Sequence, residues 1–518
     1  MSAETVETAA SVNNGTKRLI FVCIAIVLQL AVVLLINRFF AEHFLVYSII
    51  EHIVAILAVL FIYNENKPSA MKMVWTMLIL TFPIFGITLY LLIGLNAHTL
   101  KMYKRYHEID RDLLPLLPSG ELALRHLRES DPRAANICNY VRCASSYPVF
   151  DDTAITYYAD AAEGLAAQRE ELAKARRFIF MEYHAIQDAE SWHSIQDILE
   201  ERVKAGVEVR VFYDDMGSIG FVNTDFVGRL EAKGIKAQVF NPFAPGLNAF
   251  LNNRDHRKIT VIDGLVGFTG GYNLANEYFH LTEPFGFWKD TGVKLTGPAV
   301  KSLTVAFLEM WNATIGAGEE DTDYRQYLVN APKSPEAEGF VLPYADGPMD
   351  EVAVGEDVYI SVAEYATDYA WFVTPYLIIT DEMNRAFTLA AQRGVDVRII
   401  TPGIPDKKLV YSLTRSYYHN LVRHGVRIFE YTPGFCHAKM SVTDDALATC
   451  GTINLDYRSL YHHFENGCLY CGCAAVADTK RDFEQMFAES REVTEDYRDP
   501  KSTRRLANLI LRLFAPLM

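Results

Sequence analysis

Two histidine-containing stretches of the chain repeat the same polar residues at the same spacing. The first reads HRKITVIDGLVGFTGGYN from His256, and the second reads HAKMSVTDDALATCGTIN from His437. Both fit the pattern H-x-K-x4-D-x6-G-[GT]-x-N. Imidazoles move protons near neutral pH, and lysines stabilise charge that develops on phosphoryl oxygens. A single H-x-K is a weak signal, but two complete matches predict one site built from both stretches.

Each stretch supplies the same set of candidate functional side chains. Alternation along a strand places the histidine and the lysine on one face, while the aspartate stands at the strand end. A strand-end aspartate also has a simpler structural role, bonded to backbone. The glycines let backbone approach a ligand, and the asparagines add amide donors. The candidate catalytic residues are His256, Lys258, Asp263, His437, Lys439 and Asp444, and the candidate phosphate-binding residues are Asn273 and Asn454.

One acid follows each stretch within a strand-like segment. Asp290 lies in FWKDTGVKL, and Glu465 lies in HHFENGCLY. A nucleophilic imidazole works best when a carboxylate accepts the N–H of its other ring nitrogen. We therefore predict that these two acids orient the two histidines. The alternative is that both are surface acids beside an edge strand.

A doubled site of this kind suits phosphodiester chemistry without a metal or another cofactor. One histidine attacks phosphorus, and the other protonates the leaving alkoxide and then deprotonates the incoming hydroxyl. Cys468, Cys471 and Cys473 have the spacing C-x2-C-x-C, but no second Cys/His pair of matching spacing follows. Buried free thiols therefore fit these cysteines better than metal ligands.

After residue 105, strand-like runs alternate with helical stretches, and the same order occurs twice. The runs are 176–186, 206–215 and 233–243 in the first repeat, and 371–379, 394–403 and 424–435 in the second. A unit of about 180 residues is a domain and is too long for a solenoid repeat. The alternation predicts α/β halves with a parallel or mixed sheet. The segment APKSPEAEG (331–339) has the composition of a linker between them.

Composition indicates a membrane partner and argues against nucleic acid. Half of the 518 residues are hydrophobic and the net charge is -15, whereas duplex binding needs a basic surface. Residues 19–36 and 74–95 carry no charge and are long enough to cross a hydrocarbon core about 30 Å thick. Residues 44–63 contain Glu51 and His52, so they form a third span or a helix at the interface. We predict a multi-pass protein of the cell membrane. Flanking lysines and arginines nearly balance, with a mild preference for a cytoplasmic catalytic part.

These residues resemble the phospholipase D superfamily, whose mark is a duplicated HKD motif, and within it the bacterial cardiolipin synthases. NNRDHRKITVIDG with GGYNLANEY is similar to the first motif of that family, and FCHAKMSVTDD with GTINLDYRS is similar to the second. WTMLILTFPIFGITLYLLIG resembles its N-terminal membrane module. Asp255 stands where the family more often has an amide, and residues 45–63 resemble an additional hydrophobic segment.

The resemblance implies both a fold and a reaction. The fold is α/β, with two similar phospholipase D-like α-β-α sandwich halves packed as a pseudo-dimer behind a transmembrane helical region. The expected domains are 1–105 (two or three anchoring helices), 106–330 with the motif 256–263, and 331–518 with the motif 437–444. The implied reaction transfers a phosphatidyl group between two phosphatidylglycerol molecules through a phosphohistidine, giving cardiolipin and glycerol. His256 is the implied nucleophile and His437 the acid/base, and phosphatidylglycerol and membrane lipids are the implied partners.

The residues alone leave other classes of function open. In a phospholipase D-type hydrolase, water would resolve the intermediate and release phosphatidic acid. A nuclease is disfavoured by the net charge of -15. A non-enzymatic membrane scaffold predicts decay of one motif, whereas both are complete.

Overall fold

The computed structural model describes most of the chain, with gaps near both ends and in two loops. The described residues are 45–65, 67–91, 97–242, 253–316, 318, 321, 323–499, 511–513 and 515–517, with isolated positions between 24 and 38. Three helices form the first described part and pack on one another: Leu45–Tyr63, Ser69–Thr81 and Pro83–Leu89. Within these ranges, no helix combines the length and the apolar character needed to cross a membrane.

The predicted transmembrane region is therefore not confirmed. Residues 74–95 do not form one continuous helix, because Ser69–Thr81 ends before Phe82 and Pro83–Leu89 begins after it. Proline lacks the N–H that an uninterrupted helix needs, and its ring clashes with the preceding turn. Apart from isolated positions, the predicted span 19–36 lies outside the described residues.

The described residues after 96 contain two mixed sheets built on the same plan. The strands of the first half are β1 Ala154–Tyr158, β2 Phe178–Tyr183, β3 Glu208–Asp214, β4 Lys236–Phe240, β5 Arg254–Asp255, β6 Lys258–Ile262, β7 Val266–Gly270, β8 Phe287–Lys289 and β9 Gly292–Thr296. Those of the second half are β10 Phe340–Asp346, β11 Tyr369–Val373, β12 Asp396–Pro402, β13 Arg427–Tyr431, β14 Gly434–Cys436, β15 Met440–Thr443, β16 Leu447–Gly451, β17 His463–Cys471 and β18 Ser490–Glu492.

The two sheets share their strand order. The first is β1-β9-β7-β6-β2-β3-β4, and the second is β10-β17-β16-β15-β11-β12-β13, with β18 added at its edge. In each, three strands run parallel and the motif strand, β6 or β15, pairs antiparallel with the first of them. The predicted α/β halves are confirmed. β2 and β11 are buried along their whole length. β11 is a continuous apolar run and β2 is apolar apart from Glu182, as is typical of strands covered on both faces.

Helices cover the sheets and join the halves. Val300–Thr314 follows β9 and reaches β10 of the second half, while Ala474–Ala488 follows β17 and reaches β1 of the first. In the described part of the chain after residue 96, the other helices of eight or more residues are Ala97–Leu113, Glu121–Ser130, Pro132–Ser145, Ala161–Leu172, Glu190–Lys204, Val354–Tyr365, Asp381–Gln392 and Lys408–Arg423. The two sheets therefore pack through shared helices into one core.

Two short strand pairings also cross between the halves, and they position the site. β5 pairs in parallel with the start of β17, and β14 pairs in parallel with β8. Each pairing joins the strand just before one motif histidine to the residues just before one candidate orienting acid, which are His463 and Phe464 for Glu465 and β8 for Asp290. The ends of these strands thus meet at one place between the sheets.

Candidate active site

The two motif histidines occupy equivalent positions at the crossing strands. The His256 amide donates to the Phe464 carbonyl (2.8 Å), and the His437 amide donates to the Lys289 carbonyl (2.7 Å). Each backbone bond continues a parallel pairing into the opposite half. Both imidazoles line one cavity of about 480 Å³ between the halves.

Each histidine contacts the acid of the other half. His256 Nδ1 lies 2.9 Å from Glu465 Oε2, and His437 Nδ1 lies 2.6 Å from Asp290 Oδ2. Both carboxylates are almost completely buried, so they are not surface acids. A neutral imidazole that donates Nδ1–H to a carboxylate keeps the lone pair of Nε2 free. This arrangement leaves Nε2 of His256 available for reaction, whereas Nε2 of His437 also lies 3.1 Å from Lys439 Nζ.

The residue that follows the first glycine of the G-[GT] pair in each motif lies beside the acid of its own half. A Cβ at Gly271 would lie 2.0 Å from Asp290 Oδ1, so the absent side chain leaves room for that carboxylate. The equivalent Thr452 donates its hydroxyl to Glu465 Oε2 (2.5 Å). The glycine-or-threonine position of the repeat thus holds each acid against its histidine.

The motif lysines lie beneath the histidines and are buried. Lys258 Nζ donates to the His256 carbonyl (2.7 Å), and Lys439 Nζ lies 2.7 Å from His437 Nδ1. Burial lowers the pKa of Lys258 to about 7 and that of Lys439 to about 8, and the Lys439 ammonium adds to the shift at Lys258. Two buried lysines beside the two histidines favour a ligand that brings negative charge.

Burial and the neighbouring lysines also act on the imidazoles. Desolvation is the largest cause that lowers the pKa of His256 and of His437 well below the usual range, and Lys258 and Lys439 respectively come next. Burial raises the pKa of Asp290 to about 7, and the strongest opposing influence is the Lys439 ammonium. The site therefore favours neutral imidazoles before an anionic substrate binds.

The motif aspartates do not line the cavity. Asp263 accepts from the amides of Arg176, Arg177 and Phe178 (2.7–3.0 Å), just before and at the start of β2. Asp444 accepts from the amides of residues 367–369 at the start of β11. Their backbones adopt positive φ, 54° and 48°, at the end of the motif strand remote from its histidine. Their position does not support grouping them with the catalytic residues, and we assign them the structural role.

The two candidate phosphate-binding asparagines line the cavity but differ in their bonds. Asn273 accepts from the Ala185 amide (3.1 Å) and donates to the Tyr278 hydroxyl (2.8 Å). Asn454 Oδ1 is buried and has no hydrogen-bond partner among the described residues. Asn454 therefore retains more hydrogen-bonding capacity for a ligand.

The cavity has two unlike sides. The His256 ring is near the rings of His184 and His463 (centroids 4.9 and 5.4 Å). The His437 ring is surrounded by Tyr278, Trp288 and Phe435 (centroids 5.3, 5.8 and 5.8 Å). The wall also includes Glu277, Arg254 and Arg458.

Sequence reasoning singled out none of these neighbours individually. His463 precedes Glu465 by two residues on β17, which is a readable signal for a shared strand face. His184 follows the buried strand β2, where a polar residue at a carboxyl end is a weaker signal. The aromatic side has no signal in the sequence, because it assembles from distant segments.

One group among the described residues has the spacing of metal ligands. Donor atoms of His256, His463 and Glu465 lie within 4.8 Å of one another. A metal there would engage both His256 and the carboxylate that contacts it. Metal binding by these three residues would therefore compete with histidine-based phosphoryl chemistry. Cys468 and Cys471 are buried free thiols on β17, as expected, and Cys473 follows them.

Comparisons with known proteins identify relatives over most of the chain. A family model described as "Cardiolipin synthase, PLD-like domain" matches residues 359–487, and one described as "Phospholipase_D-nuclease N-terminal" matches residues 53–94. A cardiolipin synthase of Geobacillus kaustophilus is 32% identical over 501 residues, covering 96% of this chain and 99% of the relative. An uncharacterized protein of Streptococcus mutans is 41% identical, covering 89% of this chain and 99% of the relative.

A solved structure shares the fold. The phosphatidylserine synthase of Haemophilus influenzae superposes with a TM-score of 0.54 at 17% identity, covering 73% of this chain and 97% of that one. At this identity the likeness concerns the fold alone.

Proposed function

The chain belongs to the cardiolipin synthase family of phospholipase D-like phosphatidyltransferases, and from this premise we propose that it converts two molecules of phosphatidylglycerol into cardiolipin and glycerol. The observation that carries the proposal is the pair of histidines at one cavity, each in contact with an acid from the opposite half. Such a pair can hold one phosphodiester between two imidazoles.

In the first step, His256 Nε2 attacks the phosphorus of phosphatidylglycerol. The bond between phosphorus and the glycerol oxygen breaks, and His437 gives its proton to that oxygen, so free glycerol leaves. The bound phosphodiester and Asp290 favour the protonated form of His437 that this step needs. Glu465 accepts the Nδ1–H of His256 and stabilises the positive charge that develops on the phosphorylated ring.

In the second step, the glycerol hydroxyl of another phosphatidylglycerol attacks the same phosphorus. Its proton passes to His437, the phosphorus–Nε2 bond breaks with its electron pair returning to His256, and cardiolipin leaves. Lys258 and Lys439, together with Asn454, stabilise the charge on the equatorial oxygens in both steps. No residue role here requires a metal or another cofactor.

We also propose that the N-terminal helices attach the enzyme to the cell membrane, with the catalytic halves on the cytoplasmic side. Helix Leu45–Tyr63 carries apolar side chains that are more than half exposed, which is typical of a surface that contacts lipid or another apolar partner. They are Ile49, Ile50, Ile53, Ile56, Leu57, Leu60 and Phe61. A lipid substrate is most readily reached by an enzyme held at the bilayer.

The exposed Cys143 offers a test of sidedness. An impermeant thiol reagent should label it in inverted vesicles and not in right-side-out vesicles. A Cys143→Ser variant controls for the other thiols. Labelling in right-side-out vesicles only would contradict the cytoplasmic placement.

The reaction is tested with the full chain in lipid vesicles that contain labelled phosphatidylglycerol. We expect cardiolipin and free glycerol in equal amounts from the wild type, and neither from His256→Ala or His437→Ala. Phosphatidic acid without cardiolipin would instead identify a hydrolase of the same superfamily. Cardiolipin formation that persists in His437→Ala would refute the two-histidine mechanism.

A further inference from the structure

The two halves place opposite charges at equivalent positions of the cavity. Glu277 lies four residues after Asn273 of the first motif, and Arg458 lies four residues after Asn454 of the second. Both side chains line the cavity. The residues proposed to hold the phosphate are the same in the two halves. A position that is negative in one half and positive in the other therefore distinguishes the two sides of the bound phosphorus.

Glu277 lies on the His437 side. The adjacent Tyr278 accepts a hydrogen bond from Asn273 Nδ2 (2.8 Å), and its ring lies 5.3 Å from the His437 ring. Among the residues that the structure describes, none forms an ion pair with the Glu277 carboxyl or donates a side-chain hydrogen bond to it. Burial raises the pKa of Glu277. A half-buried carboxyl without a partner is costly unless a ligand supplies hydrogen-bonding groups.

Arg458 belongs to the His256 side, because its charge acts on His463 and the His463 ring lies 5.4 Å from the His256 ring. Its positive charge is the largest Coulombic influence that lowers the pKa of His463, after burial. In the described ranges its guanidinium has no ion-pair or hydrogen-bond partner, and burial lowers its pKa. Arg458 thus adds positive charge to the side on which the phosphatidyl group becomes attached to His256.

The proposed reaction assigns a different ligand to each side. In an in-line displacement the alcohol leaves and enters opposite the bond between phosphorus and Nε2 of His256, which is the His437 side. Both the departing glycerol and the glycerol group of the second lipid carry a further hydroxyl beside the reacting one. We propose that Glu277 forms a polyol subsite, which binds this neighbouring hydroxyl and selects glycerol-type acceptors over simple alcohols.

This inference rests on the proposed function and adds the residue that sets acceptor selectivity. Glu277 takes no part in bond making. The alcohol oxygen bonds to phosphorus, its proton goes to His437, and the phosphorus–Nε2 bond breaks toward His256, as before. Glu277 holds the adjacent hydroxyl so that the reacting oxygen is in line.

The test is a competition between two soluble acceptors. The full chain in vesicles with phosphatidylglycerol receives equal concentrations of deuterated glycerol and 1-propanol, and mass spectrometry measures deuterated phosphatidylglycerol and phosphatidylpropanol. Glu277→Leu should lower the ratio of glycerol product to propanol product by about tenfold, because a hydrogen bond to a charged or polar partner is lost. Glu277→Gln should keep most of the wild-type ratio, because its amide still bonds a hydroxyl.

Arg458→Gln is the matched control at the equivalent position. It should slow formation of both products and leave their ratio unchanged, because Arg458 lies on the phosphatidyl side. An unchanged ratio in Glu277→Leu would overturn the inference, as would a changed ratio in Arg458→Gln alone. Failure of the proposed function looks different: the wild type would then release phosphatidic acid and form no cardiolipin in the same vesicles, whatever the ratio of the two alcohol products.

Discussion

Replacing Glu465 by glutamine tests whether His256 depends on an acid from the opposite half. Glu465 is fully buried, and its Oε2 lies 2.9 Å from His256 Nδ1 and 2.5 Å from Thr452 Oγ1. Burial raises the pKa of Glu465, and the Lys258 ammonium is the largest opposing influence. Glutamine keeps the size of the side chain and removes its charge.

The expected loss follows from the bond that is removed. A hydrogen bond to a charged group contributes about 1.5–3 kcal/mol, and about 1.4 kcal/mol corresponds to a factor of ten in rate. Loss of this bond alone therefore predicts a decrease of about 10- to 150-fold. The glutamine amide can also donate to His256 Nδ1, which leaves the ring proton on Nε2 and removes the attacking lone pair. We expect formation of the phosphatidyl-histidine to slow by about 100-fold or more.

The measurement is a rapid-quench experiment with phosphatidylglycerol labelled in its glycerol headgroup. Enzyme in excess over substrate gives the rate of glycerol release, which reports the first step, and cardiolipin formation reports the second. Glu465→Gln should slow glycerol release. Asp290→Asn, the equivalent change at the other histidine, should slow both steps because His437 moves a proton in each. A circular-dichroism spectrum like that of the wild type controls for folding.

Two outcomes would refute this reasoning. Glycerol release within threefold of the wild-type rate would show that the Glu465 carboxylate does not orient the nucleophile. A slowed second step with an unchanged first step would mean that His256 is not the residue that attacks first.

Three further predictions follow from the same contacts. Because the Lys258 and Lys439 ammonium groups deprotonate at about pH 7 and 8, kcat/KM should fall as pH rises through this interval, and a pH profile that stays flat to about pH 9 would contradict this. Asp444→Asn should lower the denaturation temperature by a few degrees, since about 1–3 kcal/mol of bonding to backbone amides is weakened. Burial alone would raise the pKa of Asp444, but the hydrogen bonds from the backbone amides outweigh this effect and lower the pKa. Their stabilisation is therefore present above the unfolded pKa of about 3.9 and lost as pH falls through the folded value, so thermal melts of variant and wild type should converge in acid. Gly271→Ala should cost about 1–3 kcal/mol by forcing Asp290 away and should reduce turnover, whereas equal melting temperatures and rates would show that the carboxylate moves without cost.

Local patterns predicted the sheets well. The six strand-like runs correspond to β2, β3, β4, β11, β12 and β13. These elements are set by short-range periodicity and by glycines at their ends, which a single sequence shows directly. The positions of the two acids were also readable, because each lies in a strand-like segment after its motif.

The sequence does not show which of these acids contacts which histidine. It depends on β5 joining β17 and on β14 joining β8, and such long-range pairings leave no periodic signal. The contacts of Asp263 could not be predicted for a related reason, since its bonds reach backbone about 85 residues earlier in the chain. The helix break before Pro83 differs from these contacts, because proline disfavours a continuous helix and its position can be read directly from the sequence.

The crosswise arrangement links catalysis to the association of the halves. A separated second half would carry Glu465 without His256, and its His437 would lack Asp290. Leaving a buried carboxylate without its partner costs several kcal/mol of folding free energy. Each half alone would therefore be destabilised at the residues that it needs for chemistry. The strand pairings that close the interface are also those that place Phe464 and Lys289 against the histidine amides. Formation of the interface and alignment of the two imidazoles are therefore one structural event, and a variant that weakens either pairing should reduce stability and turnover together.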